Sequence, residues 1–569
     1  MVVLSLFHAV HENNLILGAV GVSLLGLLCR ALMMIQLKFQ SQFPKELHLV
    51  GEKPGKRVFS VATRLMFYFN CSKLYRDVWN NFSKKGLPVL VPTLGTRREV
   101  FLPHSSIKWL LSQPSTVLGM WDAFSEMFQI GHSLGHEKYM LKTWAVDTSR
   151  HVLTQDLEGF LEPVRQELEL AIDSLLGQDQ QNWTSLDLFE TIRRIVNQAG
   201  SRFVVGAPLC RDKDYLTAGV GAIDDIITCA GAVGFFPQFL RPLVGLFTRK
   251  RTDNMLKVLE THYDPVLQER FAHIRANPAD RTHDPNDLLQ RMLRDAQRGC
   301  PDELDTPTMT RRILMAKLGF IYQVGFACSN LVRNILESDS EYSTISSLRE
   351  EAAKIRAECG SLPVDPLTGS KVWTRKIVAR MVCADSVMRE TLRVDAFPTR
   401  ALIRQVMVDG LHTDTGLPLP KGALVSVVSQ PMHIDPELWS DPLQFDPYRF
   451  LKLRNETAGH DLSNVKTGTA LNNMLGEVTD GYNQGGKNWS PHAFLSTSNL
   501  LIFGRGRYSC PGRFLVDFQM KMLIAYLFTQ YDVKLAEDNP PKRRAGEGWL
   551  MEFIFPPKGV KMLVKRRKA

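Results

Sequence analysis

The sequence predicts a mainly α-helical fold with a small β part. Apolar residues recur at helical spacing through most of the chain up to about residue 380, and again from Phe514 to Tyr531. Short apolar runs separated by Gly or Pro-Lys-Gly turns predict two strand pairs. These runs are Leu87–Pro92 with Arg98–Pro103, and Ala401–Val408 with Ala423–Val428.

The composition narrows the class of protein. The chain has 569 residues, of which 44% are hydrophobic, so it has enough apolar residues for a large core. Its net charge is +10, but the basic residues are dispersed and form no stripe interleaved with aromatic residues. This pattern argues against nucleic acid and favours an anionic membrane surface or an acidic redox partner. Nine cysteines without a C-x-x-C motif indicate a reducing compartment.

The N-terminal region predicts a membrane anchor. Residues Leu15–Ile35 are almost entirely apolar, and about 20 such residues span a bilayer. A cleaved signal peptide is the alternative, but no basic residue precedes the run and no clear cleavage site follows it. Basic residues follow the run, which places the remainder in the cytosol. We therefore expect a luminal segment (1–14), an anchor (15–35), a linker (36–60) and a catalytic domain (61–569).

The segment Phe503–Phe514 has the features of a metal-binding loop. Gly504 and Gly506 allow a sharp bend at positive φ, and Pro511 suits the first turn of a helix. Cys510 is therefore expected at a loop-to-helix junction, with backbone N–H groups directed at its sulfur. Such a position lowers the pKa of a thiol and favours a thiolate that binds a metal, haem iron among the candidates. A buried free cysteine in a Gly-rich turn is the alternative.

A second motif combines charged residues that are distant in sequence. Glu390 and Arg393 are three residues apart, so they lie on one face of a helix. Alone, such a pair predicts a surface ion pair that contributes under about 1 kcal/mol. Arg449 follows in the motif Pro447-Tyr448-Arg449-Phe450.

Together these motifs resemble those of the cytochrome P-450 superfamily. Phe503, Gly506, Cys510 and Gly512 match its haem-binding loop, which implies that Cys510 is the axial ligand of haem b. Tyr508 stands where Arg or His is usual, which leaves open which side chain binds a haem propionate; Arg507 is adjacent. The implied fold is the cytochrome P-450 fold, preceded by one transmembrane helix.

The resemblance assigns further residues. Glu390, Arg393 and Arg449 match a buried charge network that fixes the cysteine loop. Arg150 occupies the position of a basic residue that contacts a haem propionate, although a solvated surface arginine is an alternative. Asn197–Arg211 is similar to a region of fungal members. The apolar segment Gly234–Leu243 either dips into the membrane or is a buried loop.

A long helix is expected from Thr306 as its N-cap to about Glu337. The family helix that crosses the haem carries an acid–alcohol pair for proton delivery. Alignment places Phe326 and Ala327 there, and a register shifted by one residue would put Cys328 in the place of the alcohol. Neither register recovers the acid, because no Asp or Glu lies between Thr306 and Leu336. Protons then arrive through water or a substrate hydroxyl, or the chemistry needs less protonation. Ordinary helix packing without a proton role is the third interpretation.

The resemblance implies a monooxygenase that uses dioxygen. Its electrons would come from NADPH through a separate NADPH–cytochrome P-450 reductase, since the sequence has no dinucleotide or flavin fingerprint. The implied substrate is a lipophilic fungal secondary metabolite, such as a terpenoid or polyketide, and the implied location is the endoplasmic reticulum membrane. A haem-thiolate enzyme for rearrangement, dehydration or desaturation is the alternative, and a non-enzymatic haem sensor is a further one.

Overall fold

Helices dominate the part of the chain that the structure describes, as the sequence predicts. The structure is a computed structural model that describes residues 43–568 except 45, 93–97, 237, 359–372, 453–499, 538–547 and 551. The α-helices are α1 (Val61–Phe69), α2 (Cys71–Asp77), α3 (Ile107–Ser112), α4 (Met120–Phe128), α5 (Ile130–Ser133), α6 (Lys138–Leu141), α7 (Trp144–His151), α8 (Glu158–Leu176), α9 (Leu188–Val205), α10 (Lys213–Phe235), α11 (Arg241–Ala276), α12 (Leu288–Gly299), α13 (Thr306–Lys317), α14 (Gln323–Tyr342), α15 (Thr344–Glu358), α16 (Arg375–Val378), α17 (Val382–Asp395), α18 (Gln430–His433) and α19 (Arg513–Gln530).

The strands form a smaller β part beside the helices. They are β1 (His48–Leu49), β2 (Val89–Pro92), β3 (Arg98–Phe101), β4 (Leu118–Gly119), β5 (Thr184–Asp187), β6 (Arg400–Val406), β7 (Leu411–His412), β8 (Pro418–Leu419), β9 (Leu424–Val428), β10 (Tyr531–Leu535), β11 (Trp549–Leu550), β12 (Phe553–Ile554) and β13 (Lys561–Arg566). The largest sheet has the order β1-β2-β3-β9-β6-β4. Both predicted strand pairs are confirmed, because β2 pairs antiparallel with β3 and β6 pairs antiparallel with β9.

Two hydrophobic cores hold these layers together. In the larger core, α8 packs against α9 and α19, and α9 packs against α14. The smaller core lies between the six-stranded sheet and helices α1 and α2. The larger core positions α14 and the start of α19. Strand β6 of the sheet contacts the loop before α19, through Arg404 and Tyr508.

The folded body begins before the expected catalytic domain. Val50 is fully buried, and β1 pairs in parallel with β2 through His48 and Val89. Part of the expected linker (36–60) is therefore a structural part of the sheet. The expected anchor (15–35) and the segment before it lie outside the described residues.

One helix in the described part of the chain has the length and hydropathy of a membrane span. It is α10, Lys213–Phe235, and half of its most apolar window is buried inside the protein. Such burial is also the property of a core helix, and α10 packs along α11.

The predicted long helix is present, with a different cap. Asp305, not Thr306, is the N-cap residue, because its carboxylate accepts a hydrogen bond from the backbone N–H of Thr308 at 2.7 Å. A π-helical turn, Leu318–Tyr322, joins α13 to α14. Such turns insert an extra residue into a helix and are frequent at functional sites.

A lysine at the end of α13 is buried without a counter-charge. The Lys317 ammonium lies 4.1 Å from the centre of the Tyr215 ring, in space left by Gly219, and has no hydrogen-bond partner within the described residues. Burial lowers the pKa of Lys317 from its ordinary value of 10.5 to about 7. The charged form is thus penalised in the folded protein.

Replacing Lys317 with Met should remove a pH-dependent penalty on stability. The unfolded chain binds this proton up to about pH 10.5, whereas the folded protein releases it near pH 7. The wild type should therefore gain stability as the pH rises above 7, by up to about 1.4 kcal/mol per pH unit from this group. We expect the Lys317→Met protein to melt at a higher temperature at pH 7, with the gap narrowing towards pH 9.5. The control Lys354→Met, at an exposed site, should differ from the wild type by the same melting temperature at every pH. If the Lys317→Met protein did the same, this account would be contradicted.

Candidate functional site

The loop that carries Cys510 has the conformation that its glycines predict. Gly504 and Gly506 adopt φ values of +65° and +71°. The Cys510 backbone N–H donates a 2.8 Å hydrogen bond to the carbonyl oxygen of Phe503, which closes the loop. Helix α19 begins at Arg513, so Pro511 lies just before the helix and not in its first turn.

The electrostatics of Cys510 differ from the expectation in one respect. The backbone N–H groups of Gly512 and Arg513 do point to the sulfur, and they lower the pKa of the thiol together with the Arg513 charge. Burial is the larger effect, and it raises the pKa of the Cys510 thiol above its ordinary value. The predicted lowering by the protein alone is therefore wrong, whereas a metal cation on the sulfur would restore the thiolate.

Close packing surrounds the sulfur. A Cβ atom placed on Gly512 would lie 3.7 Å from both the Cys510 Sγ and Cδ1 of Phe320. A Cβ atom on Gly506 would lie 3.3 Å from a methyl carbon of Leu111, in addition to the strain of its positive φ. These glycines keep space open between the loop, helix α3 and the π turn.

Two of the predicted basic residues meet at this loop. Arg150 donates from Nη1 to the carbonyl oxygen of Arg507 at 2.9 Å, and its buried Nε has no partner among the described residues. Arg507 is exposed and donates to the carbonyl oxygen of Gln113 at 2.6 Å. Arg150 thus retains a free donor at the loop, while the Arg507 guanidinium is bonded elsewhere.

A third basic residue, Arg404 on β6, was not singled out from the sequence. Its side chain is buried, and its guanidinium lies 4.9 Å from the centre of the Tyr508 ring. Burial lowers the pKa of Arg404 to about 10, and no carboxylate pairs with it in the described chain. Tyr508 stands where the family motif usually has Arg or His. This departure could have prompted a search for a basic residue on another strand that replaces the missing charge.

The charged residues of the second motif are brought together as the resemblance implies. Arg393 donates to the two carboxylate oxygens of Glu390 at 2.8 and 2.7 Å, and Arg449 donates to one of them at 3.0 Å. Arg393 also donates to the carbonyl oxygens of His433 and Pro442 at 2.7 and 2.9 Å. Glu390 and Arg393 are fully buried, so this is a core network and not a surface ion pair.

Helix α14 presents an aromatic cluster where the acid–alcohol pair is absent. Phe326 is buried, and its ring lies 4.9 Å from Phe397, 5.0 Å from Tyr322 and 5.4 Å from Phe555. Ala327 is partly buried beside it. Burial raises the pKa of the Cys328 thiol to about 12, so this thiol stays protonated at neutral pH.

A carboxylate from another helix contacts the π turn before α14. The Tyr322 hydroxyl donates to Asp224 on α10 at 2.8 Å, and Asp224 is about half exposed. Tyr322 and Asp224 thus place a phenol and a half-exposed carboxylate one turn before Phe326, the predicted proton-delivery position.

The turn between α10 and α11 and the first two turns of α11 expose apolar side chains. Phe239 is 62% exposed, Leu243 is 55% exposed and Phe247 is 75% exposed. The segment Gly234–Leu243 is consequently not the buried loop of the alternative interpretation. The basic cluster Arg249–Arg251 follows on α11.

The comparisons with known proteins agree with the motifs. A family model described as cytochrome P450 matches residues 364–564. The cytochrome P450 monooxygenases astC of Aspergillus terreus and pbrC of Penicillium brasilianum are 36% and 37% identical to this chain, each over 94% of it and 95% of the relative. The monooxygenase tenB of Beauveria bassiana is 34% identical over 96% of both chains.

The similarities to these three relatives extend over nearly the whole sequence. The chain therefore belongs to the cytochrome P450 family, and its enzyme class is that of the cytochrome P450 monooxygenases. Family membership implies a haem-thiolate cofactor, a small-molecule substrate and a redox partner.

Proposed function

We propose that this enzyme oxidises a lipophilic small molecule, a fungal secondary metabolite of the terpenoid or polyketide class, with Cys510 as the axial ligand of haem b. The observation that carries the proposal is the position of Cys510. Its sulfur lies before the N-terminus of α19, two backbone N–H groups point to it, and Gly512 adds no side chain beside it. A partly buried thiol with these donors suits a bound cation.

The surrounding residues fit an anionic cofactor with two carboxylate groups. Phe503, Gly506 and Gly512 shape the loop, and Arg150 and Arg404 supply positive charge that the described residues leave without a carboxylate partner. We assign Arg150 and Arg404 to the haem propionates, with Arg507 holding the loop through Gln113. When bound, the haem supplies dioxygen activation, and the protein supplies its orientation and electrostatics.

The remaining residues position the substrate and protons. The aromatic cluster around Phe326 presents an apolar surface at the position that the resemblance assigns to proton delivery. Cys328 remains protonated, because burial raises the pKa of its thiol to about 12, so it is a poor relay. Protons are proposed to arrive through water or a substrate hydroxyl.

We place the enzyme on the endoplasmic reticulum membrane, with residues 15–35 as a single anchor and the catalytic domain in the cytosol. The exposed Phe239, Leu243 and Phe247, next to the basic cluster Arg249–Arg251, suit contact with an anionic lipid surface. Electrons are assigned to NADPH through NADPH–cytochrome P-450 reductase, since the sequence carries no nucleotide fingerprint of its own.

Replacing Arg404 with Gln tests whether this residue binds the cofactor or only stabilises the fold. The change removes an unpaired buried charge, so the haem-free protein should be as stable as the wild type or more stable. The haem-loaded protein should lose haem to a competing acceptor about 10- to 100-fold faster, because a charge-assisted hydrogen bond contributes about 1.5–3 kcal/mol. The exposed-site control Arg298→Gln should change neither property. Equal rates of haem loss in the wild type and Arg404→Gln would contradict the assignment.

The reaction itself is tested by a metabolite comparison under heavy-isotope dioxygen. Hosts with and without this protein, both supplied with reductase, should differ by a product that carries one labelled oxygen. A product of unchanged oxygen content would favour rearrangement, dehydration or desaturation, for which the absent acid–alcohol pair at Phe326 and Ala327 is the motivating observation. Haem binding without NADPH consumption would favour a sensor.

A further inference from the structure

The long helical stretch formed by α13, the π turn and α14 is packed along most of its length. Between Thr308 and Ile335, the exposed residues are Gly319 and Gln323. They are four residues apart, so they lie close together on one side of the helix. A Cβ atom added to Gly319 would meet no atom within 4 Å, which indicates open space beside it. This side of the helix therefore borders an opening.

Other elements cover the remaining sides of the helix at this level. A Cβ atom added to Gly200 of α9 would lie 2.8 Å from the side chain of Ile321, so that side packs against α9. The next residue, Tyr322, bonds to Asp224 of α10 at 2.8 Å. Successive residues of a helix point about 100° apart, so the side chain after Tyr322 is directed away from both helices.

Gln323 lies between two parts of the candidate site. Three residues before it, Cδ1 of Phe320 lies 3.7 Å from the Cβ position of Gly512, which is itself 3.7 Å from the Cys510 sulfur. Three residues after it, Phe326 is at the centre of the aromatic cluster. Residues three apart are neighbours on a helix surface. The Gln323 side chain is thus flanked by a contact of the Cys510 loop and by the aromatic cluster.

Gln323 also has the chemistry that the neighbouring positions lack. Phe326 and Ala327 carry no polar side-chain group, and Cys328 is fully buried. A carboxamide has two N–H donors and an acceptor oxygen, so it can hold a water molecule or a hydroxyl. It has no ionisable proton, so it orients a proton source and does not replace one.

We propose that the Gln323 carboxamide is the hydrogen-bonding group at the reaction site, where it holds the water molecule or substrate hydroxyl that supplies protons. The inference rests on the proposed function and names the residue that positions the proton source without an acid–alcohol pair. The proton leaves the held water or hydroxyl and is replaced from solvent through the opening beside Gly319. Gln323 itself stays neutral throughout.

Carbon monoxide bound to the haem-loaded full chain tests the position of the amide, because a neighbouring hydrogen-bond donor weakens the C–O bond. Gln323→Met keeps the length of the side chain and removes the donor, so the infrared C–O band should move to higher frequency. Gln268→Met, at an exposed site on α11, should leave the band unchanged. An unchanged band in Gln323→Met, in a sample with the thiolate-type spectrum, would overturn the inference. A wild type without that spectrum would instead refute the ligand assignment of Cys510.

Gln323→Glu separates hydrogen bonding from packing. A carboxyl group donates only while it is protonated, so the C–O band of this variant should move to higher frequency as the pH rises, while the wild-type band stays constant. Asp224 of α10 and Arg193 of α9, the charged residues that contact this stretch, are present in both proteins, so the wild type controls for them. A band in Gln323→Glu that does not depend on pH would contradict the proposal.

Product yield tests the role in proton supply. In the host comparison with reductase, Gln323→Met should lower the yield of labelled product about three- to tenfold at equal haem content, because one neutral hydrogen bond is lost. Gln268→Met should keep the wild-type yield. A fall in yield that only follows a fall in haem content would indicate a structural role and would overturn the proposal, as would an undiminished yield.

Discussion

Replacing Cys510 with Ser is expected to abolish the thiolate-type carbon monoxide spectrum and to lower oxidation on the order of a thousandfold or more. The reason is that the serine hydroxyl has a far higher pKa than a thiol and is a poor ligand for haem iron. The fold should remain, since the loop is held by the Cys510 backbone N–H and by two positive-φ glycines, none of which the substitution removes.

A matched cysteine controls this experiment. Cys300 is a partly exposed free cysteine that caps the end of α12, outside the candidate site. Cys300→Ser should keep both the spectrum and the activity. Haem content, the carbon monoxide difference spectrum and the melting temperature are measured for both variants. A Cys510→Ser protein that keeps a thiolate-type spectrum would refute the ligand assignment.

Replacing Glu390 with Gln is expected to destabilise the protein by about 3–5 kcal/mol, because two buried guanidinium groups then lose the carboxylate that they share. Arg393 would keep its carbonyl partners His433 and Pro442 but not its counter-charge. The Cys510 loop should loosen as a consequence, with a lower yield of haem-loaded protein.

The chain offers a surface pair of the same spacing as a control. Glu190 and Arg193 are also three residues apart and are bonded at 2.8 Å, but the Glu190 side chain is 49% exposed. Glu190→Gln should change the melting temperature little, since exposed pairs contribute under about 1 kcal/mol. If both substitutions lower the melting temperature equally, the buried network has no special role in stability.

Local chemistry explains which features the sequence predicts. The bend at Gly504 and Gly506 depends on backbone freedom alone, and the Glu390–Arg393 pair depends only on helix geometry. Arg449 is 59 residues from Glu390, so its place in the network follows from the resemblance and not from spacing.

Other features depend on burial, which the sequence does not display. The pKa of the Cys510 thiol was expected to fall because of nearby N–H groups, whereas burial by distant elements raises it. Arg404 acquires its role from Tyr508, 104 residues later on a different element.

The position of β1 has a consequence for trimming the chain before expression. His48 and Leu49 pair with β2 at the margin of the six-stranded sheet, and Phe43 and Leu47 are buried with them. A deletion that stops before Phe43 spares this margin, whereas one that extends to residue 60 exposes the hydrogen-bonding groups of β2. The shorter deletion should yield dispersed protein and the longer one self-associating protein, although the two differ by fewer than twenty residues.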